Sequence, residues 1–528
     1  MDGKRTIRQL TTGMHVFPVL RCSEKAKYVD KTALLHELCG DVDQQLFISR
    51  PRRFGKSLML STLKAMFECK RELFKGLAID SLPWDWEKPF PVLDFTMASA
   101  KGTTYDEFRA ALEGLVRGLC DEFSFAYDAA LPVSVNFERL IQAVAEKSDR
   151  KQVVVLIDEY DEPVAAFLDD LPTLKKVRDD LHEFYEKLKI NAGFIRFLMM
   201  TGVTKFTKLS IFSGINHLKD RTMDPRFATL LGYTREELDG TLRENVEEFG
   251  RMNGIGFEDA KNALLSWYDG YRFSPDSEAK VCNPVSLGYA LESGKLMNYW
   301  ESTGASSMIL GRLAKVDKTI VDYEAVAVRP VVLDVCDAET LPVEALLYQG
   351  GYLSIKNVRK SGMLELGVPN NEIRSSLRDG YIAGVLQSSS EDWFARLDDI
   401  KTEVEDRGIE TFLRRNLHAL FAKIPHEWKI GGETEAKRYF LLSLSLLGAD
   451  ISGERQSARG RADAVLKDRS GVYVFEFKYG RSAKEALRQA RTREYANPWL
   501  DGALPVFYVG VNYDPERRGI DDPLVEPA

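Results

Sequence analysis

Two groups of residues in this 528-residue chain combine types and spacings suited to chemistry on phosphates. The first is Gly55-Lys56-Ser57, inside the stretch FISRPRRFGKSLML at residues 47–60. Glycine, lysine and a hydroxyl at the start of a helix are how a chain wraps a polyphosphate. The loop amides and the helix N-terminus converge on the phosphate oxygens, Lys56 would reach the β- and γ-phosphates of ATP, and Ser57 would hold a magnesium ion. Arg50 stands five positions before Gly55, where such a loop usually has a glycine for its tight turn. That leaves phosphate binding open and argues against efficient hydrolysis. Arg52 and Arg53 either add positive charge at the phosphates or are solvated. The second group is Asp463 and, after twelve residues, Glu476-Phe477-Lys478. Two carboxylates brought together offer hard oxygen ligands to Mg²⁺ or Mn²⁺, and an ammonium beside them can position a nucleophile or stabilise a pentacovalent phosphorus.

Each group needs elements to position it. A phosphate loop needs a buried strand before it and a helix after it. QQLFIS supplies the strand, and SLMLSTLKAMFE carries Leu58, Leu60, Leu63, Met66 and Phe67 at near-helical spacing. The other half of such a site is a buried strand ending in acids. QVVVLIDEYDEP, residues 152–163, fits: four of the five residues from Val153 to Ile157 are β-branched, as in a parallel strand covered on both faces. Asp158 falls at the strand end, where a carboxylate bridges to magnesium, and Glu159 is the candidate for orienting the attacking water. A third strand, FIRFLMMTGVT, ends in Thr201 and Thr204, polar groups placed to sense a γ-phosphate. A surface turn and a solvated strand end would explain either half alone. Two such motifs, each at the carboxyl end of a strand, favour a nucleotide site.

The second group depends on strand register. In Val472–Tyr479 the residues Tyr473, Phe475, Phe477 and Tyr479 share one face, and Val474, Glu476 and Lys478 the other. RADAVLK is the hairpin partner, turning at DRSG with Gly471 suited to a left-handed position. A four-residue loop, Asp468 to Gly471, puts Asp463 opposite Glu476; a five-residue loop sends Asp463 to the other face. From Glu454 to Glu494 there are 11 Lys/Arg against 6 Asp/Glu, in a chain of net charge −8. This local basic surface is either a phosphate-backbone contact or a solvated helix face.

YVDKTALLHEL, FISRPRRFGKSLMLSTLKAMFE, VVVLIDEYDEPV and MMTGVTKFTKLSIFSGINHLKDRT resemble the AAA-ATPase-like family, in which RPRRFGKS is the usual form of the loop. LGYTREEL, WYDGYRF, CNPVSL, YWESTG, LLYQGGYLSI and LGVPNNEI extend the resemblance over most of residues 15–375. Asp463 with Glu476-Phe-Lys478 is similar to the PD-(D/E)XK nuclease superfamily; Ala462 replaces the motif's proline, a variation that superfamily tolerates. By that resemblance, Glu435 in EAKRYFLLSLSLLG is the helical acid, and Gln489 in AKEALRQARTREY matches the accessory glutamine of the RecB-like branch. The resemblances imply an α/β chain: a P-loop NTPase parallel sheet over residues 1–223, a helical lid over 224–330, a connector over 331–395 with a winged-helix-like form left open, and a small α/β nuclease-like domain over 396–528.

The rest of the chain sets bounds. A length of 528 residues exceeds what one core supports. Six scattered cysteines without a CxxC pair fit a reducing cytoplasm rather than a zinc ribbon or a disulfide framework. No apolar run is long enough to span a bilayer, so no membrane is expected. In the helical middle, Trp267, Tyr268 and Tyr271 are expected to pack in a core, and Arg272 is a weaker candidate for reaching a phosphate. QSSSEDW, at 387–393, is the expected linker. The expected partners are ATP and DNA or RNA, with a homo-oligomer left open.

Overall fold

A computed structural model describes residues 7–205, 218–300, 323, 325–334, 342–377, 412–413, 430–433, 436–437, 440–441, 450–457, 460–467, 470–500 and 502–528. The linker expected at 387–393 and the helical acid Glu435 lie outside the described residues. The chain divides into two compact units, Met1–Ala305 with Ala327–Arg374, and Ser306–Val326 with Ser375–Ala528.

The first unit is built on a parallel sheet of β1 (Gln45–Ser49), β2 (Val92–Thr96), β3 (Val153–Asp158), β4 (Ile195–Gly202) and β5 (Lys219–Asp220), in the order β2-β3-β4-β1-β5. Every residue of β3 is buried, as its β-branched run requires. Four helices cover the sheet: α1 (Lys56–Phe67), α2 (Tyr105–Glu122), α3 (Val133–Lys147) and α4 (Leu171–Ile190). α2 and α4 start where the side chains of Thr104 and Asp170 accept the amides of Glu107 and Thr173. Phe137 of α3 stacks on Phe184 of α4 at 4.3 Å, with Phe95 of β2 edge-on. Because the strands run the same way, their carboxyl ends share one rim. Thr96 lies opposite Asp158, and Ser49 opposite Gly202. Crevices at that rim are where open α/β sheets bind ligands.

Helices follow the sheet: α5 (Arg243–Asn253), α6 (Phe257–Tyr268) and α7 (Pro284–Ser293). Upstream of α5, a short helix from Arg235 to Asp239 is broken from it at Gly240. Val246, Phe249, Leu264, Tyr268, Leu287 and Leu291 form the local core. A short helix from Val343 to Gln349 then turns at Gly351, at φ 85, into a hairpin of β6 (Ser354–Val358) and β7 (Leu364–Gly367).

The second unit holds a mixed sheet: β8 (Asp450–Ser457), β9 (Gly460–Lys467), β10 (Val472–Tyr479), β11 (Val506–Asp514), β12 (Gly519–Ile520) and β13 (Leu524–Pro527). Its order is β12-β11-β10-β9-β8, with β13 also pairing β11. β8, β9 and β10 are antiparallel; β10 and β11 are parallel, joined across α8 (Ala483–Thr492). α8 lies close on β11 at Gly510, where a Cβ would collide with the Ala483 carbonyl and come within 2.7 Å of the Leu487 amide nitrogen. Only glycine fits that crossing. Gly471 serves a similar purpose and not the one expected: it has no left-handed φ, and a Cβ there would meet the Pro505 carbonyl at 2.7 Å. Among the described residues, no helix is long and apolar enough to cross a membrane.

Candidate functional site

In the first unit, Gly55 takes φ 92 and hands the chain to α1, whose first residue is Lys56. Lys56 is buried. Its Nζ donates to the carbonyls of Arg50 and Pro51, both at 2.9 Å, which ties the loop into a ring around the ammonium. Burial lowers its pKa, against the pull of Asp158, Asp161 and Glu159. The Ser57 hydroxyl donates to Asp158 Oδ2 at 2.5 Å, closing the contact between the loop and the end of β3. Asp158 Oδ1 accepts from the Thr201 hydroxyl at 2.5 Å and from the Glu159 amide at 3.0 Å. Glu159 itself sits at φ 51, a conformation that costs a side-chain-bearing residue about 1–3 kcal/mol and concentrates at functional sites. Its Oε2 accepts from the Thr96 hydroxyl at 3.4 Å.

Arg53, Gly55, Lys56, Ser57 and Glu159 line one cavity of about 550 Å³, which continues past Thr11 and Tyr28 to Tyr233 and Tyr289. That volume suits a nucleotide-sized ligand. The hydroxyl–carboxylate pair, the buried lysine and the helix N-terminus are the donor set for a magnesium-bound polyphosphate, so these residues fit the group.

Four expectations change. Arg50 does not line the cavity. It has no left-handed φ, so its position does not need glycine; that conformation falls on Arg53, at φ 67. The Arg50 guanidinium is buried, donates to the carbonyls of Ser49, Thr222 and Phe227, and lies 4.1 Å from the Phe273 ring centroid. Thr204 is not at the cavity wall. Its amide donates to Asp161 Oδ2 and its carbonyl accepts from the Tyr160 hydroxyl, which pin it behind the end of β3. Arg272 is spent within its own turn, donating to Ser274 and Pro275 carbonyls and to Glu278. Arg52 is neither simply solvated nor dedicated to phosphate: it pairs with Glu162 at 2.7 Å.

In the second unit, Lys467 lies opposite Val472 and Ala464 opposite Phe475; the paired ladder ends there, and Asp463 follows it with its carboxylate on the Phe477 amide. The four-residue register holds. Phe475 and Phe477 pack on Phe440, while Val474 joins Leu487 and Ala490 beneath α8. Glu476 and Lys478 are both buried; Lys478 Nζ donates to Glu476 Oε1 at 2.7 Å, and the Gln489 amide of α8 donates to the same oxygen. Asp463 Oδ2 accepts the Phe477 amide at 2.7 Å. Burial, and then the charge of Asp463, pushes the Glu476 carboxyl up to about 7. A carboxylate beside a second buried one whose ionisation it opposes, with cations around them, is a donor set that a divalent ion fits. Among the described residues, no third acid or histidine joins them.

Sequence reading missed Lys437, whose Nζ bonds Asp463 Oδ1 at 2.7 Å. Nothing in its local pattern marks it. Gly510 was missed too, although a glycine inside the apolar run VFYVGVNY is itself a sign of close backbone approach. Thr96 gave only the signal of a hydroxyl at a strand end.

A family model described as "Predicted AAA-ATPase" matches residues 11–212, and one described as "PD-(D/E)XK nuclease superfamily" matches residues 431–522. The chain is also 29% identical, over 533 residues, to a protein of Azotobacter chroococcum mcd 1 described as "Uncharacterized protein in vnfD 5'region"; the match covers 98% of this chain and 99% of that one. The two chemistries read from the loop and from the hairpin thus fall inside the two matched spans: this chain joins a predicted AAA-ATPase domain to a domain of the PD-(D/E)XK nuclease superfamily.

Proposed function

We propose that the chain is an ATP-binding ATPase that powers or regulates a metal-dependent nuclease carried at its carboxyl end. The observation that carries the reading is the convergence of Asp463, Glu476, Lys478 and Gln489, drawn from two strands and a helix, on one face of the second sheet. Asp463 and Glu476 would hold Mg²⁺ or Mn²⁺, which when bound lowers the pKa of a water and offsets charge on an attacked phosphate. Lys478 holds a positive charge beside the carboxylates, available to position the nucleophile. Gln489 orients Glu476. Lys484 and Arg488, exposed on α8 one turn apart, offer charge to a nucleic-acid backbone.

In the first unit, Gly55, Lys56 and Ser57 bind the phosphates of ATP with magnesium, Asp158 fixes the Ser57 hydroxyl, and Glu159 is the residue available to orient water. Asp161 does not duplicate it, because both its oxygens accept the amides of Val203 and Thr204. Glu162 is held by Arg52 and Lys101.

A second reading has a specific observation in its favour. Lys437 and Lys478 between them neutralise both carboxylates, which suits a domain that binds nucleic acid without cutting it, under control of a nucleotide switch. Incubating the full-length protein with labelled DNA and RNA, with and without Mg²⁺ or Mn²⁺ and ATP, separates the two. Metal-dependent cleavage that Asp463→Asn abolishes supports the nuclease; retention of label without cleavage under every condition supports the switch.

A further inference from the structure

Two motifs keep no task once the sites are assigned: YVDKTALLHEL at residues 28–38 and LGYTREEL at 231–238. Both line the cavity that begins at the phosphate loop, with Tyr28, Val29 and Lys31 from the first and Leu231, Gly232 and Tyr233 from the second. Each is built to hold its wall in place. In the first, the Tyr28 ring meets Phe17 edge-on at 5.2 Å. Asp30 accepts the Thr32 amide and hydroxyl on one oxygen and the Ala78 amide on the other, which fixes the start of the helix Thr32–Cys39. In the second, Gly232 takes φ 93, and a Cβ there would lie 2.6 Å from the Val281 side chain. Tyr233 exchanges backbone hydrogen bonds with Cys282, at 3.2 and 2.7 Å. Thr234 and Glu237 then form a reciprocal cap on the helix Arg235–Asp239, each side chain accepting the other's amide.

Lysines join the two walls. Lys31 Nζ pairs with Glu237 Oε1 at 2.6 Å and donates to the Thr229 carbonyl at 2.9 Å. The side chains of this pair are only 13% and 19% exposed, so it is not one of the loose surface pairs that contribute little. Lys27 adds a second tie, donating to the Thr241 carbonyl at 3.0 Å with Glu244 at 3.7 Å. Glu237 therefore serves two segments at once: Oε2 holds the Thr234 amide of its own wall, and Oε1 holds Lys31 of the other. The Lys31 charge is met within the protein, so the pair shapes the cavity rather than binding an anion. The lining changes in chemistry accordingly. Arg53, Lys56 and Ser57 offer charge and hydrogen bonds to phosphates. Val29, Leu230, Leu231, Tyr233 and Val285 offer apolar and aromatic surface, which suits a base and ribose.

We propose that Lys31 and Glu237 are positioning residues for the nucleoside end of the nucleotide: their ion pair sets the spacing of the two walls between which base and ribose lie. The inference rests on the reading of the cavity as an ATP site, and adds which of its walls take the base. Gly55, Lys56 and Ser57 hold the phosphates without help from that spacing. Loss of the pair is therefore felt by the nucleoside and not by the phosphates.

A double-mutant cycle on the full-length protein tests this, read as displacement of a fluorescent ATP analogue by ATP with Mg²⁺ and, separately, by inorganic triphosphate with Mg²⁺. Lys31→Met keeps the stem and removes the charge. Glu237→Gln removes the charge and keeps an oxygen for the Thr234 amide. Each should weaken ATP by about threefold or more, the scale of coupling expected between contacting groups, and leave triphosphate affinity at the parent value. The double variant should be no weaker than the worse single one. Retained triphosphate binding shows in the same titration that a variant is folded. A pair that serves only the fold predicts otherwise: both affinities unchanged, both falling by one factor, or the two substitutions adding. Lys56→Ala separates the two levels. If it binds both ligands like the parent, the nucleotide reading falls and this inference with it. If Lys56→Ala loses both while Lys31→Met and Glu237→Gln leave ATP affinity unchanged, lower triphosphate affinity equally, or add, this inference alone is overturned.

Discussion

The two proposed sites are assembled by opposite means. At the phosphate loop, the reactive groups are contiguous: Gly55, Lys56 and Ser57 occupy one turn, and only Asp158 and Glu159 are brought from elsewhere. Their arrangement is held from behind by distant aromatic and charged residues. At the carboxylate face no two neighbours in sequence cooperate. Asp463 comes to Glu476 from across the hairpin, just past the end of its paired ladder, Lys478 through strand alternation, and Gln489 through a helix that Gly510 lets approach. The first site is robust in its chemistry and exposed to changes in its scaffold. The second is robust in its scaffold and exposed to any slip of one residue, since the side-chain period of a strand is two.

The largest effects expected are on the chemistry itself. Asp463→Asn or Glu476→Gln each removes a ligand charge at nearly constant shape, and metal-dependent cleavage should disappear in either. Lys478→Ala leaves both carboxylates in place, so divalent-ion binding should persist while cleavage falls by about 10²-fold or more. Equal loss of metal binding in all three would show that Lys478 organises the site rather than the reaction. In the first unit, Lys56→Ala should abolish ATP binding measured at equilibrium, and Glu159→Gln should bind ATP like the parent and lose turnover. Residual turnover in Glu159→Gln would have to come from another base, and Asp161 is held off by the Val203 and Thr204 amides.

How much of this was legible follows from the same contrast. The loop, the β-branched run of β3 and the hairpin register are local patterns, and each carries its consequence with it: period, turn length and strand end. Arg50 shows where locality fails. Its reading as a defective glycine took the loop alone, whereas its guanidinium is absorbed by carbonyls at Thr222 and Phe227 and by the face of Phe273, all far along the chain. Thr204 failed likewise, because Asp161 and Tyr160 capture its backbone. Gly471 was given the right position and the wrong cause, a turn conformation instead of close approach to Pro505. Lys437 left no local trace, since a charge on a helix is ordinary until the carboxylate it meets is known.

Scaffold changes come next in size. Gly510→Val forces α8 off β11, and overpacking of this kind costs about 1–3 kcal/mol. The thermal midpoint of the second unit should fall, and cleavage should fall with it because Gln489 and Glu476 separate. Unchanged stability would mean that α8 does not bear on Gly510 as closely as the carbonyl of Ala483 indicates.

A smaller effect is expected from pH. Burial raises Glu372 from 4.5 to about 7 and Asp161 from 3.8 to about 6. Both groups keep a proton in the folded chain that the unfolded chain gives up at lower pH. Their contribution is therefore present in full below about pH 4 and is lost as pH rises through 6 to 7. Glu372→Gln removes one of the two groups, so its stability relative to the parent should rise between pH 5 and pH 8, measured by denaturant unfolding at each pH. A constant difference would mean that Glu372 is ionised at both.

The smallest effects separate the two sites most finely, because each has an orienting donor on its acid. Gln489 donates to Glu476 Oε1 in company with Lys478, a bond to a buried group. The Thr96 hydroxyl lies 3.4 Å from Glu159 Oε2, a long bond to a group that lines an open cavity. Removing the first leaves a buried oxygen with one donor fewer, and Gln489→Ala should slow cleavage by up to about tenfold, less than Lys478→Ala, without loss of metal binding. Removing the second leaves Glu159 free to bond water, so Thr96→Val should leave ATP affinity unchanged and alter turnover by less than Gln489→Ala alters cleavage. Single-turnover rates with matched controls measure both. If Thr96→Val proves the more damaging, the strained backbone at Glu159 relies on that hydroxyl for its aim, and the loop site depends on long-range support for its chemistry as well as for its shape.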